Sequence, residues 1–157
     1  MAEVGVYRGG SSKLICEANN KKTLHIFDTF EGIPEVEPSI DKVKKGQFKG
    51  DSLEEIKNYL IQYNNVLYYK GWFPKSAKSL DGAIKFSFVN LDVDVYLSTL
   101  ESLKFFYPRM SAGGVIITHD YRCSNAPGVR KAFDEFIKGK PETIVELWDT
   151  QALIIKL

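Results

Sequence analysis

Cysteine is scarce in this 157-residue chain: only Cys16 and Cys123 occur, far apart and without a CxxC pair. That excludes a disulfide framework and a zinc ribbon. No apolar run approaches the roughly 20 residues of a membrane span, and no signal peptide precedes the first motif. An excess of one charge is missing too, since 21 Lys+Arg stand against 20 Asp+Glu for a net charge of +1. Such balance argues against nucleic acid or an anionic membrane as the principal partner. Internal repeats and low-complexity tracts are likewise absent. A hydrophobic fraction of 44% with 26% charged residues is ordinary globular composition. At roughly 150 residues per domain, one cytoplasmic domain over residues 1–157 is expected.

Apolar runs of strand length alternate with stretches of helical period, the signature of a mostly parallel α/β sheet. AEVGV is the first strand and runs into the glycine turn YRGGSS, with a helix starting near Ser11 or Ser12. LHIFD is the second strand, followed by a long loop rich in Gly, Pro and charge. SLEEIKNYLIQY is a helix capped by Asp51 or Ser52, with Leu53, Ile56, Leu60 and Ile61 on its apolar face. NVLYYKG is the third strand and IKFSFVNLDVDVY a long fourth. STLESLKFFYPRM is a helix closed by Gly113, and GVIITHDY the fifth strand. PGVRKAFDEFIKG is a last helix, and ETIVELW with ALIIKL forms a closing antiparallel hairpin. The fold class is a Rossmann-like sheet of about seven strands, whose ligands belong at the strand carboxyl ends where strand order reverses.

Three polar clusters fall at such ends. In Glu3-Val-Gly5-Val-Tyr-Arg8-Gly9-Gly10-Ser11 the glycines let backbone approach a ligand, although the spacing is not the dinucleotide fingerprint and a plain tight turn is the alternative. Asp28, closing the second strand, is placed to accept hydrogen bonds from ribose hydroxyls, or else is a turn aspartate. Its carboxylate would repel a 2′-phosphate. Asp92 and Asp94 close the fourth strand, with His119 and Asp120 closing the fifth. Residues two apart on a strand face one side, so the two aspartates project together. Crowded carboxylates call for a cation or a shared proton, and oxygen ligands suit a hard divalent ion. Otherwise they are solvated turn residues. Trp72 after the third strand either covers a cofactor base or packs in the core. His25 reads as a core histidine, Phe105, Phe106, Phe133 and Phe136 as core, and the lysines 42, 44, 45 and 49 as a solvated basic loop or a lid. Cys123 has no partner that marks it as a nucleophile.

EVGVYRGGSS, FDTFEGIP, KGWFPKS, FVNLDVDVY with the segment running on to ITHDY, and PGVRKAFDEF resemble the macrocin O-methyltransferase family over nearly the whole chain. The resemblance implies the class I S-adenosylmethionine fold, with Gly5, Gly9 and Gly10 around the methionine moiety and Asp28 on the ribose. It implies magnesium on Asp92, with Asp94 as general base. The two residues after the fifth strand, usually Asp-Asp, complete the metal site. Here they are His119 and Asp120, and an imidazole suits manganese, nickel or zinc better than magnesium. Family members also carry helices ahead of the first strand. This chain begins at that strand, so the lid is expected to be missing, to come from another subunit, or to lie on a longer chain of which this is a fragment, and an uncovered cleft favours a homo-oligomer.

The function expected is metal-assisted O-methylation of a hydroxyl on a sugar or other small-molecule natural product. One rival reads Asp92-Val-Asp94 as the DxD of a metal-dependent glycosyltransferase, which leaves the glycine turn and Asp28 without a role. The other is a cofactor-binding module that has lost catalysis.

Overall fold

A computed structural model describes residues 1–157. Seven strands form one sheet in the order β3-β2-β1-β4-β5-β7-β6. The strands are β1 Ala2–Val4, β2 Leu24–Asp28, β3 Val66–Lys70, β4 Phe86–Leu91, β5 Met110–Thr118, β6 Ile144–Glu146 and β7 Ala152–Ile155. The first five are parallel, and β7 runs antiparallel between β5 and β6. The Rossmann-like sheet with its antiparallel C-terminal hairpin is as expected. No helix is long and apolar enough to cross a membrane.

Alternation along β2 sorts its side chains between the two faces. Leu24 and Ile26 pack with Cys16, Ile56 and Leu60 under α1 (Gly10–Ala18) and α2 (Leu53–Tyr59). Phe27 instead joins the larger core beneath α3 (Tyr96–Phe106) and α4 (Pro127–Ile137), where Phe106 and Phe133 are fully buried. His25 also points there, buried, with Nδ1 2.9 Å from the Tyr69 hydroxyl. It is a core histidine, as its apolar setting suggested. Beyond the cover of α1, one face of β4, β5 and β7 keeps Phe88, Val115, Ile117 and Leu153 only half-buried.

Several local expectations are revised. The cap of α1 is Gly9, with φ 76° and no side-chain bond, because the Ser12 hydroxyl is drawn to the buried carboxylate of Glu3. Gly113 does not close a helix. It sits inside β5 with φ 75°, near an irregularity in the β4–β5 register, after a 3₁₀ turn (Tyr107–Arg109) has ended α3. β4 stops at Leu91 rather than continuing to Tyr96, since Asp94 takes φ 60° and breaks the pleat. Ile61 lies past the end of α2 and is exposed. The Ser52 cap holds: its hydroxyl accepts from the Glu55 amide while the Glu55 carboxylate accepts from the Ser52 amide, a reciprocal box.

Candidate active site

Strand order reverses between β1 and β4, and such a reversal opens a crevice at the strand carboxyl ends. A cavity of about 420 Å³ lies there, lined by the residues that end all five parallel strands. Gly5 follows β1 and Asp28 ends β2, Trp72 follows β3, Asp92 and Asp94 follow β4, and His119 and Asp120 follow β5. Residues as far apart in the chain as Gly5 and Asp120 thus share one wall.

Gly5 makes the crevice possible. Its φ is 84°, and a β-carbon on it would lie 1.9 Å from the Asp92 carbonyl oxygen. Only glycine allows the ends of β1 and β4 to approach so closely. Asp28 ties the turn together: one oxygen accepts from the Val6 amide at 2.7 Å and the other from the Phe30 amide at 2.7 Å. Its carboxylate is held rigidly at the cavity edge, with lone pairs left over. Trp72 lines the cavity with its indole Nε1 buried and unpartnered.

Across from Asp28 the carboxylates crowd. Asp92, His119 and Asp120 each offer a donor atom, all within 4.8 Å of one another. Asp120 is only 5% exposed, and its Oδ2 has no hydrogen-bond partner. Its Oδ1 lies 2.8 Å from Nδ1 of His119, whose ring is otherwise half open. Burial, then the charges of Asp120 and Asp94, push the Asp92 carboxyl far above the usual range. Burial and Asp120 push Asp94 up to about 6. For His119 burial works downward, but the bond to Asp120 and the surrounding carboxylates win and raise it. An orphaned buried oxygen beside a second desolvated carboxylate is an unbalanced arrangement that a cation would satisfy. The donor set fits a divalent metal.

Five of the candidate residues lie outside the cavity wall. Glu3 is fully buried behind it, accepting from the Ser12 hydroxyl and, at 2.9 Å, from the Asn90 amide. Arg8 is exposed, its Nε 4.0 Å from Asp51. Gly9, Gly10 and Ser11 open α1 rather than face the cavity. The structure adds Ile33, Val43 and Phe48, through which the long β2–α2 loop lines the cavity. No periodicity marks those three as site residues in a loop of mixed charge.

A family model for macrocin-O-methyltransferase (TylF) matches residues 1–144. The chain belongs to the macrocin O-methyltransferase family. Among its relatives, demethyldecarbamoylnovobiocin O-methyltransferase of Streptomyces niveus is 29% identical over 152 residues, 87% of this chain and 57% of that protein. A tetracenomycin-C 4′-O-methyltransferase acting on the dimethoxyrhamnosyl derivative, from Streptomyces olivaceus, is 30% identical over 139 residues, 77% of this chain and 52% of that protein. The chain therefore spans little more than half the length of these relatives. The solved O-methyltransferase NovP superposes with a TM-score of 0.81 at 24% identity, over 99% of this chain and 71% of NovP. A Streptococcus mutans protein solved in complex with SAH superposes with a TM-score of 0.64 at 13% identity, over 99% of this chain and 88% of that one. This macrocin O-methyltransferase family member has the class I methyltransferase fold.

Proposed function

We propose that the chain is the cofactor-binding domain of an S-adenosylmethionine-dependent, metal-assisted O-methyltransferase acting on a hydroxyl of a sugar or other small-molecule natural product. The observation that carries this reading is the shared cavity, lined by Asp28 at the end of β2 and by the Asp92–His119–Asp120 cluster past the ends of β4 and β5. A ribose site on Asp28 and a cation site on the cluster, both on one cavity wall, would put cofactor and acceptor in the same crevice.

Asp28, already fixed by two amides, accepts from the ribose hydroxyls with its remaining lone pairs. Gly5 brings main chain against the methionine part, and Trp72 flanks the base. Asp92, His119 and Asp120 would hold a divalent cation, which supplies positive charge to the acceptor oxygens and lowers the pKa of the reacting hydroxyl. Asp94, half-buried on the same cavity wall, takes the hydroxyl proton. The acceptor oxygen forms its bond to the methyl carbon as the carbon–sulfur bond breaks, leaving that electron pair on sulfur. The half-buried setting of Asp94 keeps bulk water from competing for its proton.

Tryptophan fluorescence tests this reading, since Trp72 lines the cavity while Trp148 is 93% exposed and far along the chain. S-adenosylhomocysteine should quench the wild type and leave Trp72→Phe unchanged. Quenching by a nucleoside diphosphate sugar and not by S-adenosylhomocysteine would instead favour the glycosyltransferase reading.

A further inference from the structure

The helix that follows Asp94 has no cap of its own. Val95 stands at the N-cap of α3 and offers no side-chain oxygen. The missing acceptor arrives from 55 residues away: Oδ1 of Asp41, in the β2–α2 loop, accepts from the Tyr96 amide at 2.9 Å. Its Oδ2 accepts from the Glu37 amide of its own loop at 2.8 Å. Asp41 is 9% exposed, deep for a loop carboxylate.

A third segment is shaped around it. A β-carbon on Gly128, in the first turn of α4, would lie 2.1 Å from Asp41 Oδ1 and 2.7 Å from the Tyr96 nitrogen. Asp41 reaches Tyr96 only because residue 128 lacks a side chain. Two further contacts hold the same loop down. Lys42 Nζ donates to the Ser124 carbonyl at 2.9 Å, in the connection from β5 to α4. Ile33, Val43 and Val95 form a small apolar cluster of their own. The loop so held is the one carrying Ile33, Val43 and Phe48 to the cavity.

We propose that Asp41 is a positioning residue that locks the cavity-lining loop to the turn bearing Asp92 and Asp94, so that seating of the loop and placement of that turn are one event. A carboxylate at a helix N-terminus satisfies a free amide and meets the positive end of the helix dipole. Withdrawing it loosens both segments, because each loses its anchor to the other. Asp94, two residues before the capped amide with φ 60°, is the group most exposed to such loosening. The catalytic meaning of this coupling rests on the role proposed for Asp94. The coupling itself does not.

Amide hydrogen exchange on the full chain tests it without any acceptor. Asp41→Ala should speed exchange at least tenfold both in the β2–α2 loop and at the start of α3, leaving β5 unchanged. Gly128→Ala, which keeps Asp41 but crowds its oxygen, should do the same, although alanine is otherwise the better helix former. Asp41→Asn retains a carbonyl for Tyr96 and should restore protection to α3 and to most of the loop, losing it only around the Glu37 amide. Loosening of the loop with α3 still protected in Asp41→Ala would overturn the proposal, as would faster exchange spread evenly over the chain. Where methyl transfer is measurable, Asp41→Ala should lower the rate on its own yet cost no further rate when added to Asp94→Asn, and an additive loss would make Asp41 merely structural. Absence of S-adenosylhomocysteine binding to the wild type would overturn the methyltransferase reading and leave the exchange result standing.

Discussion

Gly5 and Asp92 approach so closely that one methyl group between them would lie 1.9 Å from the Asp92 carbonyl oxygen. The contact joins the ends of two strands that sit side by side in the sheet although 81 residues lie between β1 and β4 in the chain. Gly5→Ala should therefore destabilise by at least about 2 kcal/mol, combining a left-handed residue with an overpacked crossing. Urea unfolding checks this. A midpoint shift too small to resolve would show that the crossing relaxes freely.

Asp28 holds two amides before any ligand arrives. Asp28→Ala leaves both donors without their carboxylate, at about 1–3 kcal/mol for each that stays buried. S-adenosylhomocysteine affinity should fall at least about tenfold, or ~1.4 kcal/mol, by calorimetry. Equal affinities would refute the ribose role.

The crowded acceptors beside Asp120 predict cation binding. Manganese, followed by its paramagnetic resonance signal, should bind one site on the wild type, and Asp120→Asn should weaken it at least about tenfold, in line with loss of a charged ligand. Because an imidazole favours later transition metals, His119→Asp should shift preference toward magnesium. Manganese affinity unaffected by both changes would place the metal elsewhere.

His25 links stability to pH. Burial first, and the N-terminal charge second, lower its pKa to about 4. Below about pH 6.5 the unfolded chain binds a proton on this ring that the folded chain refuses. The stability contribution is complete above that pH, and it is lost progressively as pH falls toward 4, by at most ~3 kcal/mol. Urea unfolding of wild type and His25→Gln between pH 7 and 4 should show a steeper loss for the wild type. Parallel curves would mean that the ring is hydrated.

Much of this arrangement is legible from residues alone where local chemistry decides it. β2 is bounded by its own apolar run and ends at Asp28, and the Ser52–Glu55 box announces α2. Failures occur where distant partners decide. Asp92 and Asp94 do both reach the cavity, but through a turn, because Asp94 leaves the extended region and ends the pleat on which the period-two argument relied. Gly113 follows a run of helical period and so suggests a helix cap, yet its left-handed geometry falls inside β5. Ser12 looks like a cap until the buried Glu3 behind it is known. Asp41 carries no local signal at all, since its partner amide lies 55 residues further on.

The central claim is that one cavity joins a nucleoside site to a base on the fourth strand's end. Asp94→Asn tests it most directly, with S-adenosylhomocysteine affinity and methyl transfer measured on the same preparation. Affinity within about threefold of wild type, with transfer reduced by the ~10²–10⁴-fold typical of a lost general base, is the predicted result. Transfer unchanged, or affinity lost together with transfer, would contradict it.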